Sequence, residues 1–311
     1  MGTPAFAVPA LRAVAAACEV VLVITRPDRP RGRGRELGES EVSAAARASG
    51  LEVWKPEDMG SPEALERLRS VAPDLFAVVA FGAILTPAVL AVPRLGAINL
   101  HGSVLPDLRG AAPVQRAIWE GRGESGVSTL FMDEGIDTGD VILTRTAPIT
   151  SDDDAGTLAV KLAMLGAPLL AESLLLAFAG KAPRAPQDRA AGSYAKKLRK
   201  TDGIVDWTLD AIAVWSRQRA VTPWPGSTTS CQGVGLTLVR TRPLYRAVPA
   251  ADPGRIVGLE GGGVIVSCGS GTLSLERVKP AGRAEMDAAD WARGARLEIG
   301  DRLGEWRGDQ A

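Results

Sequence analysis

Short apolar runs separated by amphipathic stretches fill the first half of the chain. "EVVLVIT" (19–25) is bounded by polar residues and predicts a buried strand. "EVSAAARASG" (41–50) has helical periodicity and ends on Gly50, which predicts a helix and its stop. "LEVW" reads as a short strand, and "SPEALERLRSV" as a helix with Ser61 as cap and Pro62 in the first position, where its missing N–H is harmless. "DLFAVVAFG" predicts a further buried strand and "GAINL" a fourth, followed by a helix around "AAPVQRAIW", a strand in "GVSTLFM" and an extended pair in "GDVILTRTAPI". Strands alternating with helices predict the α/β class, a Rossmann-like, mostly parallel sheet covered by helices.

The pattern then changes twice. "SDDDAGTLAVKLAMLGAPLLAESLLLAFAGK" predicts a long helix that starts at the acidic triplet Asp152 to Asp154. Three adjacent carboxylates invite a metal, but acidic residues at a helix start cap orphan amides and complement the dipole, and that is the stronger reading. Past Pro183, Pro186 and Gly192, a helix near "LDAIAVWSRQRAV" leads into "GVGLTLVRTRPL" and "GRIVGLEGGGVIVSCGSGTLSLERVKP". These are short alternating strands with Gly-rich turns, as in a small OB-like β-barrel domain. The division expected is a catalytic domain over 1–182, a basic linker over 183–202 and an OB-like domain over 203–311. "LFAVVAFGAILTPAVLAV" approaches the length of a membrane span, but Gly82 and Pro87 break it and Asp74 and Arg94 flank it, so a strand, a loop and a short helix are expected.

Composition adds bounds. A chain of 311 residues is long for one core, in keeping with two domains. With 46% hydrophobic and 23% charged residues it is an ordinary globular protein, and its net charge of zero means that any nucleic-acid partner must be argued from local clusters. Two such clusters exist. "RPDRPRGRGRELG" carries Arg26, Arg29, Arg31, Arg33 and Arg35 against Asp28 alone before Glu36, and Lys196, Lys197, Arg199 and Lys200 precede the barrel. Arginines grip phosphates and stack on unpaired bases, as the frayed end of an RNA stem would require. Cys18, Cys231 and Cys268 fall in no metal-binding or disulfide spacing, which suits a reducing compartment, and the opening "MGTPAFAVPALRAV" does not read as a signal peptide.

His101 is the single histidine. Asn99 lies two residues before it, so on an extended segment both project from one face while Leu100 points to the other. In open α/β sheets ligands collect beyond the carboxyl ends of strands, where an amide can steady a developing oxyanion and an imidazole can move a proton. "DEGIDTGDV" offers Asp137 in a Gly-rich turn as a carboxylate for the ring. "GRGRELG" is not a dinucleotide fingerprint, because three residues rather than two precede its last Gly.

"INLHGSVLPDLRGAAPVQRAIWEG" followed by "GVSTLFMDEGIDTGDVI" closely resembles the active-site segments of the formyltransferases that use 10-formyltetrahydrofolate. "MGTPAFAVPAL", "TRPDRPRGRGREL", "FGAILTP", "YAKKLRKTDGIVDW", "TPWPG" and "VKPAGRAEM" extend the likeness over essentially the whole chain, toward the branch that acts on methionyl-tRNA. The resemblance implies that Asn99, His101 and Asp137 are catalytic and that Ser103, Val104, Leu105 and Pro106 lie along the folate site, with "FGAIL" near the pterin. It implies formyl transfer to initiator methionyl-tRNA in the cytoplasm by a monomer with no metal and no membrane partner, tRNA being held by Arg31, Arg33, Arg35, Lys196 and Lys197. Within the family the acceptor is an aminoacyl-tRNA, a glycinamide nucleotide, an amino sugar nucleotide or water, and the basic segments favour tRNA. A noncatalytic RNA-binding protein would leave Asn99, His101 and Asp137 without a task. Family members usually carry an apolar strand before the Gly-Thr-Pro turn, whereas here Met1 directly precedes Gly2. The expectation is a start assigned too late, the alternative being a sheet without its first strand. Asp107 stands where relatives often have a basic residue and Thr222 where Asn is more usual.

Overall fold

In the computed structural model, which describes residues 1–31, 36–244, 251–260 and 262–304, the apolar runs become strands wherever a neighbouring strand takes up their backbone hydrogen bonds. In chain order the first part consists of α1 (Val8–Ala17), β1 (Val23–Ile24), β2 (Arg29–Arg31), β3 (Glu36–Gly38), α2 (Glu41–Ala48), β4 (Val53–Trp54), α3 (Pro62–Val71), β5 (Phe76–Val78), α4 (Pro87–Leu90), β6 (Ala97–His101) and β7 (Arg109–Gly110). Then follow α5 (Pro113–Trp119), β8 (Glu124–Phe131), β9 (Val141–Pro148), α6 (Ala155–Phe178), β10 (Tyr194–Ala195) and α7 (Ala211–Ala220). The chain closes with β11 (Ser227–Cys231), β12 (Val234–Leu244), β13 (Ile256–Glu260), β14 (Gly263–Ser267), β15 (Thr272–Pro280), β16 (Met286–Asp287), α8 (Ala288–Ala295) and β17 (Leu303–Gly304). Two compact units result, one of Met1–Pro113, Glu124–Pro148 and Ala159–Ala195, the other of Val114–Gly123, Ile149–Leu158 and the chain from Lys196 onward.

The first unit holds a mixed sheet. β5 and β6 pair in parallel, β6 and β8 antiparallel, and β8 returns as β9 through a hairpin, so the strand order is β5-β6-β8-β9. β1 and β4 form a separate parallel pair. The sheet is thus less uniformly parallel than strand and helix alternation predicts: β8 runs against β6, and β9 follows β8 directly, with no helix between them to carry the chain back for a parallel return. Helix caps follow the sequence: Ser40 accepts from the Ser43 amide and Ser61 from the Ala64 amide, each satisfying one orphan donor. The run at 19–25 gives a strand only at Val23–Ile24, where Glu52 and Trp54 supply acceptors for the amides of Val23 and Thr25. Residues 20–22 line an apolar cavity of about 140 Å³, walled also by Val14, Leu75, Ala77, Leu174 and Phe178. At its end the Gly2 amide donates to Ile24 O at 3.0 Å and the Val79 amide to Met1 O at 2.9 Å.

The long apolar helix materialises as α6, 24 residues that by length and composition could cross a membrane. Half of its most apolar stretch is buried inside the protein, as for a core helix. The other apolar run, 75–92, divides into β5 and α4 instead. Asp154 caps α6 by accepting from the Thr157 amide at 2.8 Å, and the buried Asp153 carboxylate takes both the amide and the hydroxyl of Thr150.

The second unit is a curled antiparallel sheet in the order β13-β14-β15-β12-β11-β17, with β16 added to β15. Gln232 and Gly233, both at positive φ, make the two-residue turn from β11 to β12, and register shifts at Leu238 and Arg240 bend β12 against β15. Its core gathers Trp207, Val214, Leu238, Ile256, Val264, Leu273 and Trp291.

One contact in the first unit bears on the site. Leu100 is 2% exposed and seats its methyl groups on Gly166 of α6, where an added Cβ would fall 2.8 Å from Leu100 Cδ2. Gly166→Ala should gain about 1 kcal/mol of helix propensity and lose about 1–3 kcal/mol to overpacking against β6. Net destabilisation is expected, as a lower urea midpoint with an unchanged m-value; a higher midpoint would mean that Leu100 is free to move.

Candidate active site

β6 is hydrogen-bonded on both sides, to β5 through Val78↔Asn99 and to β8 through His101↔Ser128, so its register is pinned. With Leu100 turned to α6, strand parity sends Asn99 and His101 together to the opposite face. Beyond His101 the chain folds into a tight loop. The Ser103 hydroxyl donates to Asp107 O at 2.5 Å, the Asp107 amide to Val104 O at 3.1 Å, and the Leu105 amide to the Ser128 hydroxyl at 3.1 Å. The loop ends at Leu108 in the left-handed region, which turns its carbonyl back to His101 Nε2 at 2.9 Å.

Asp137 arrives from the β8–β9 turn. Asp133 shapes that turn by accepting from the Gly135 amide and the Thr138 hydroxyl, and Asp137 itself has φ of 56°. Its carboxylate accepts from Asn99 Nδ2 at 3.3 Å and from the Gly110 amide at 2.8 Å, and Oδ2 lies 3.5 Å from His101 Nδ1. The three residues singled out on sequence grounds therefore meet in one cluster.

The contacts settle the tautomer of the ring. A carbonyl oxygen only accepts, so His101 Nε2 carries a proton toward Leu108 O. Nδ1 faces the Asp137 carboxylate, whose Oδ2 lies 3.5 Å away. The ring is 6% exposed, so water does not compete freely for either nitrogen.

The remaining expected residues divide. Ser103 and Leu105 are buried, and the Ser103 hydroxyl is spent inside the loop, so these two shape the loop while Val104 and Pro106 present half-exposed surfaces. Ile84 of the "FGAIL" segment is 85% exposed. Phe81 and Gly82 line a cleft of about 370 Å³ that Thr3, Arg26, Arg29 and Ser40 also line. Arg31 belongs to β2, while Arg33 and Arg35 lie outside the described residues. Lys196 and Lys197 are exposed in the second unit. Sequence reasoning missed Arg109, Gly110 and Gln187, all of which touch the cluster or its supports; the "LRG" within "INLHGSVLPDLRGAAPVQRAIWEG" was the available signal.

An amide, an imidazole and a carboxylate gathered at the end of a strand are groups that acyl-transfer chemistry can use, and the sequence comparisons point to a family that performs it. The formyl transferase family model matches residues 5–174 and the model of the formyl transferase C-terminal domain matches 197–296, so the chain belongs to the formyl transferase family. Among its relatives is the methionyl-tRNA formyltransferase of Geobacter sulfurreducens, 42% identical over 309 residues that cover 98% of this chain and 96% of that one. The methionyl-tRNA formyltransferase of Symbiobacterium thermophilum is 43% identical over 305 residues, 97% of this chain and 94% of the other. Of solved structures, the N-formyltransferase of Helicobacter canadensis in complex with folinic acid and dTDP-3-aminofucose shares the fold at a TM-score of 0.65 and 16% identity, over 88% of this chain and 96% of that one.

Gly110 has φ of 104°, and a Cβ there would meet the Tyr194 ring at 2.7 Å and Ala195 O at 3.0 Å. Gly110→Ala should therefore cost about 1–3 kcal/mol in strain and displace the amide that holds Asp137. A drop in both the thermal midpoint and turnover is expected; unchanged turnover would separate Gly110 from the site.

Proposed function

We propose that this chain transfers the formyl group of 10-formyltetrahydrofolate to the free α-amino group of initiator methionyl-tRNA. The observation that carries the reading is the meeting of Asn99, His101 and Asp137, with bonds and approaches of 3.3 and 3.5 Å, in a chain more than 40% identical to enzymes named for that reaction. The donor formyl sits on an aryl-conjugated nitrogen, which makes it a better acyl donor than a plain amide. The acceptor amine attacks as the neutral base, and α-amino groups titrate near about 8 even before esterification lowers them. Attack forms the new N–C bond and a tetrahedral oxyanion. Asn99 Nδ2 has a second hydrogen to donate to that oxygen, and the His101 imidazole lies beside Asn99 on the same face of β6. Collapse breaks the bond to the folate nitrogen, and the proton lost by the amine passes to that nitrogen through the His101–Asp137 pair.

Residues 1–182 act as the catalytic domain in this reading, 183–202 as a basic linker, and 203–311 as an OB-like domain that holds tRNA. Val104 and Pro106 border the folate, over a loop that Ser103 and Leu105 keep in shape. Arg31, Arg33, Arg35, Lys196 and Lys197 hold the tRNA, in a monomeric cytoplasmic enzyme. The exposure of both lysines, and the cleft that Arg26 and Arg29 share with Phe81 and Gly82, support the polyanionic acceptor.

Single-turnover reactions with methionyl-tRNA and glycinamide ribonucleotide offered side by side should formylate the tRNA alone. Asn99→Ala and His101→Ala should each lower that rate by about 10²-fold or more while tRNA binding persists. Formylation of the nucleotide would overturn the acceptor, and unchanged rates the catalytic assignment. Replacing Arg31, Arg33 and Arg35 together by Ala should raise KM for methionyl-tRNA and flatten its salt dependence, with the folate KM unaffected. Equal use of tRNA by that variant would remove the loop from the interface.

A further inference from the structure

Arg109 is 8% exposed, and all five of its N–H bonds are spent. Nε and Nη2 both donate to Gln187 Oε1, at 3.1 and 2.9 Å, Nη2 also donates to Asp188 O at 3.0 Å, and Nη1 reaches Arg189 O and Ala191 O at 3.4 and 3.3 Å. None of these acceptors is a carboxylate. The fork therefore does not neutralise an acid; it fixes the segment 187–191 and orients one amide. That amide is Gln187, whose Nε2 donates to Asp137 O at 3.0 Å and Gly139 O at 2.7 Å. Both of its hydrogens thus hold the backbone on either side of Thr138, in the turn where Asp137 takes a left-handed conformation, uncommon for a non-glycine residue though less so for Asp than for most.

We propose that Arg109 and Gln187 are positioning residues for Asp137: the guanidinium orients the Gln187 amide, and the amide clamps the turn so that the carboxylate faces Asn99 and His101. Gly110, next to Arg109, adds a direct bond from its amide to the Asp137 carboxylate. The inference rests on the reading of Asp137 as part of the formyl-transfer site. Placement within a fraction of an ångström matters there, because misplacement by about 1 Å can cost about 10²-fold in rate.

Gln187→Glu tests the clamp apart from the hub. The new carboxylate still accepts from Arg109, now as an ion pair, but it offers oxygen instead of N–H to Asp137 O and Gly139 O. A role confined to anchoring the segment predicts a parental kcat. Positioning predicts a kcat lower by about 10- to 100-fold, with KM for methionyl-tRNA and for 10-formyltetrahydrofolate within about threefold of the parent. Gln187→Leu, which removes the donors without adding charge, should show the same split. If either variant melts near the parent and keeps kcat within about twofold, or if KM alone moves, the clamp is not positioning Asp137. Asp137→Asn measured in parallel separates the two levels. Parental turnover in that variant overturns the site reading and this inference with it, whereas its loss beside an unaffected Gln187→Glu overturns this inference alone.

Discussion

The Asp137 carboxylate is the point on which the candidate site depends. It is reached by an amide side chain from the middle strand, a backbone N–H from β7 and, at 3.5 Å, the imidazole. These come from segments 27 to 38 residues away in sequence, so one anion ties together β6, the loop that follows it and the β8–β9 turn. Charge-assisted hydrogen bonds of this kind are stronger than neutral ones. Removing the acceptor would leave a half-buried amide and a backbone N–H unpaired, at a cost of about 1–3 kcal/mol each.

The sheet supplies the other half of the geometry. Because β6 is bonded on both edges, a slip of one residue would turn Asn99 and His101 toward α6 and Leu100 toward the cleft. Leu100 on Gly166 opposes such a slip, since burial of a leucine is worth about 1.5–3 kcal/mol and its methyl groups occupy the space that a Cβ on Gly166 would take. Packing on one face of the strand thereby fixes chemistry on the other.

How far this was legible in the sequence depends on range. The caps at Ser61 and Asp154 and the period of β6 are local, and each is written in a few adjacent residues. The placement of Asn99 beside His101 needed only strand parity, and Asp137 followed from the resemblance and its turn. What a linear reading did not reveal is of two kinds. The truncation of the strand at 19–25 depends on where a partner backbone lies, since apolar periodicity alone carries no information on pairing. The Arg109–Gln187 contact spans 78 residues and joins polar residues of no recognisable spacing. Nothing in the linear sequence marks Arg109 for burial, because a cation satisfied by carbonyl oxygens has no complementary acid whose spacing would point to it.

That absence of an acid has a chemical use. Had the guanidinium bonded Asp137 directly, it would have competed with Asn99 and Gly110 for the carboxylate oxygens. Instead the cation bonds to neutral oxygens, and a neutral amide carries its orientation to the turn. Lysine could not substitute, because three tetrahedral donors cannot span acceptors from Gln187 to Ala191 in one plane. Geometry is thus passed to Asp137 through hydrogen bonds that carry no formal charge to it, and the carboxylate keeps its own charge for the imidazole.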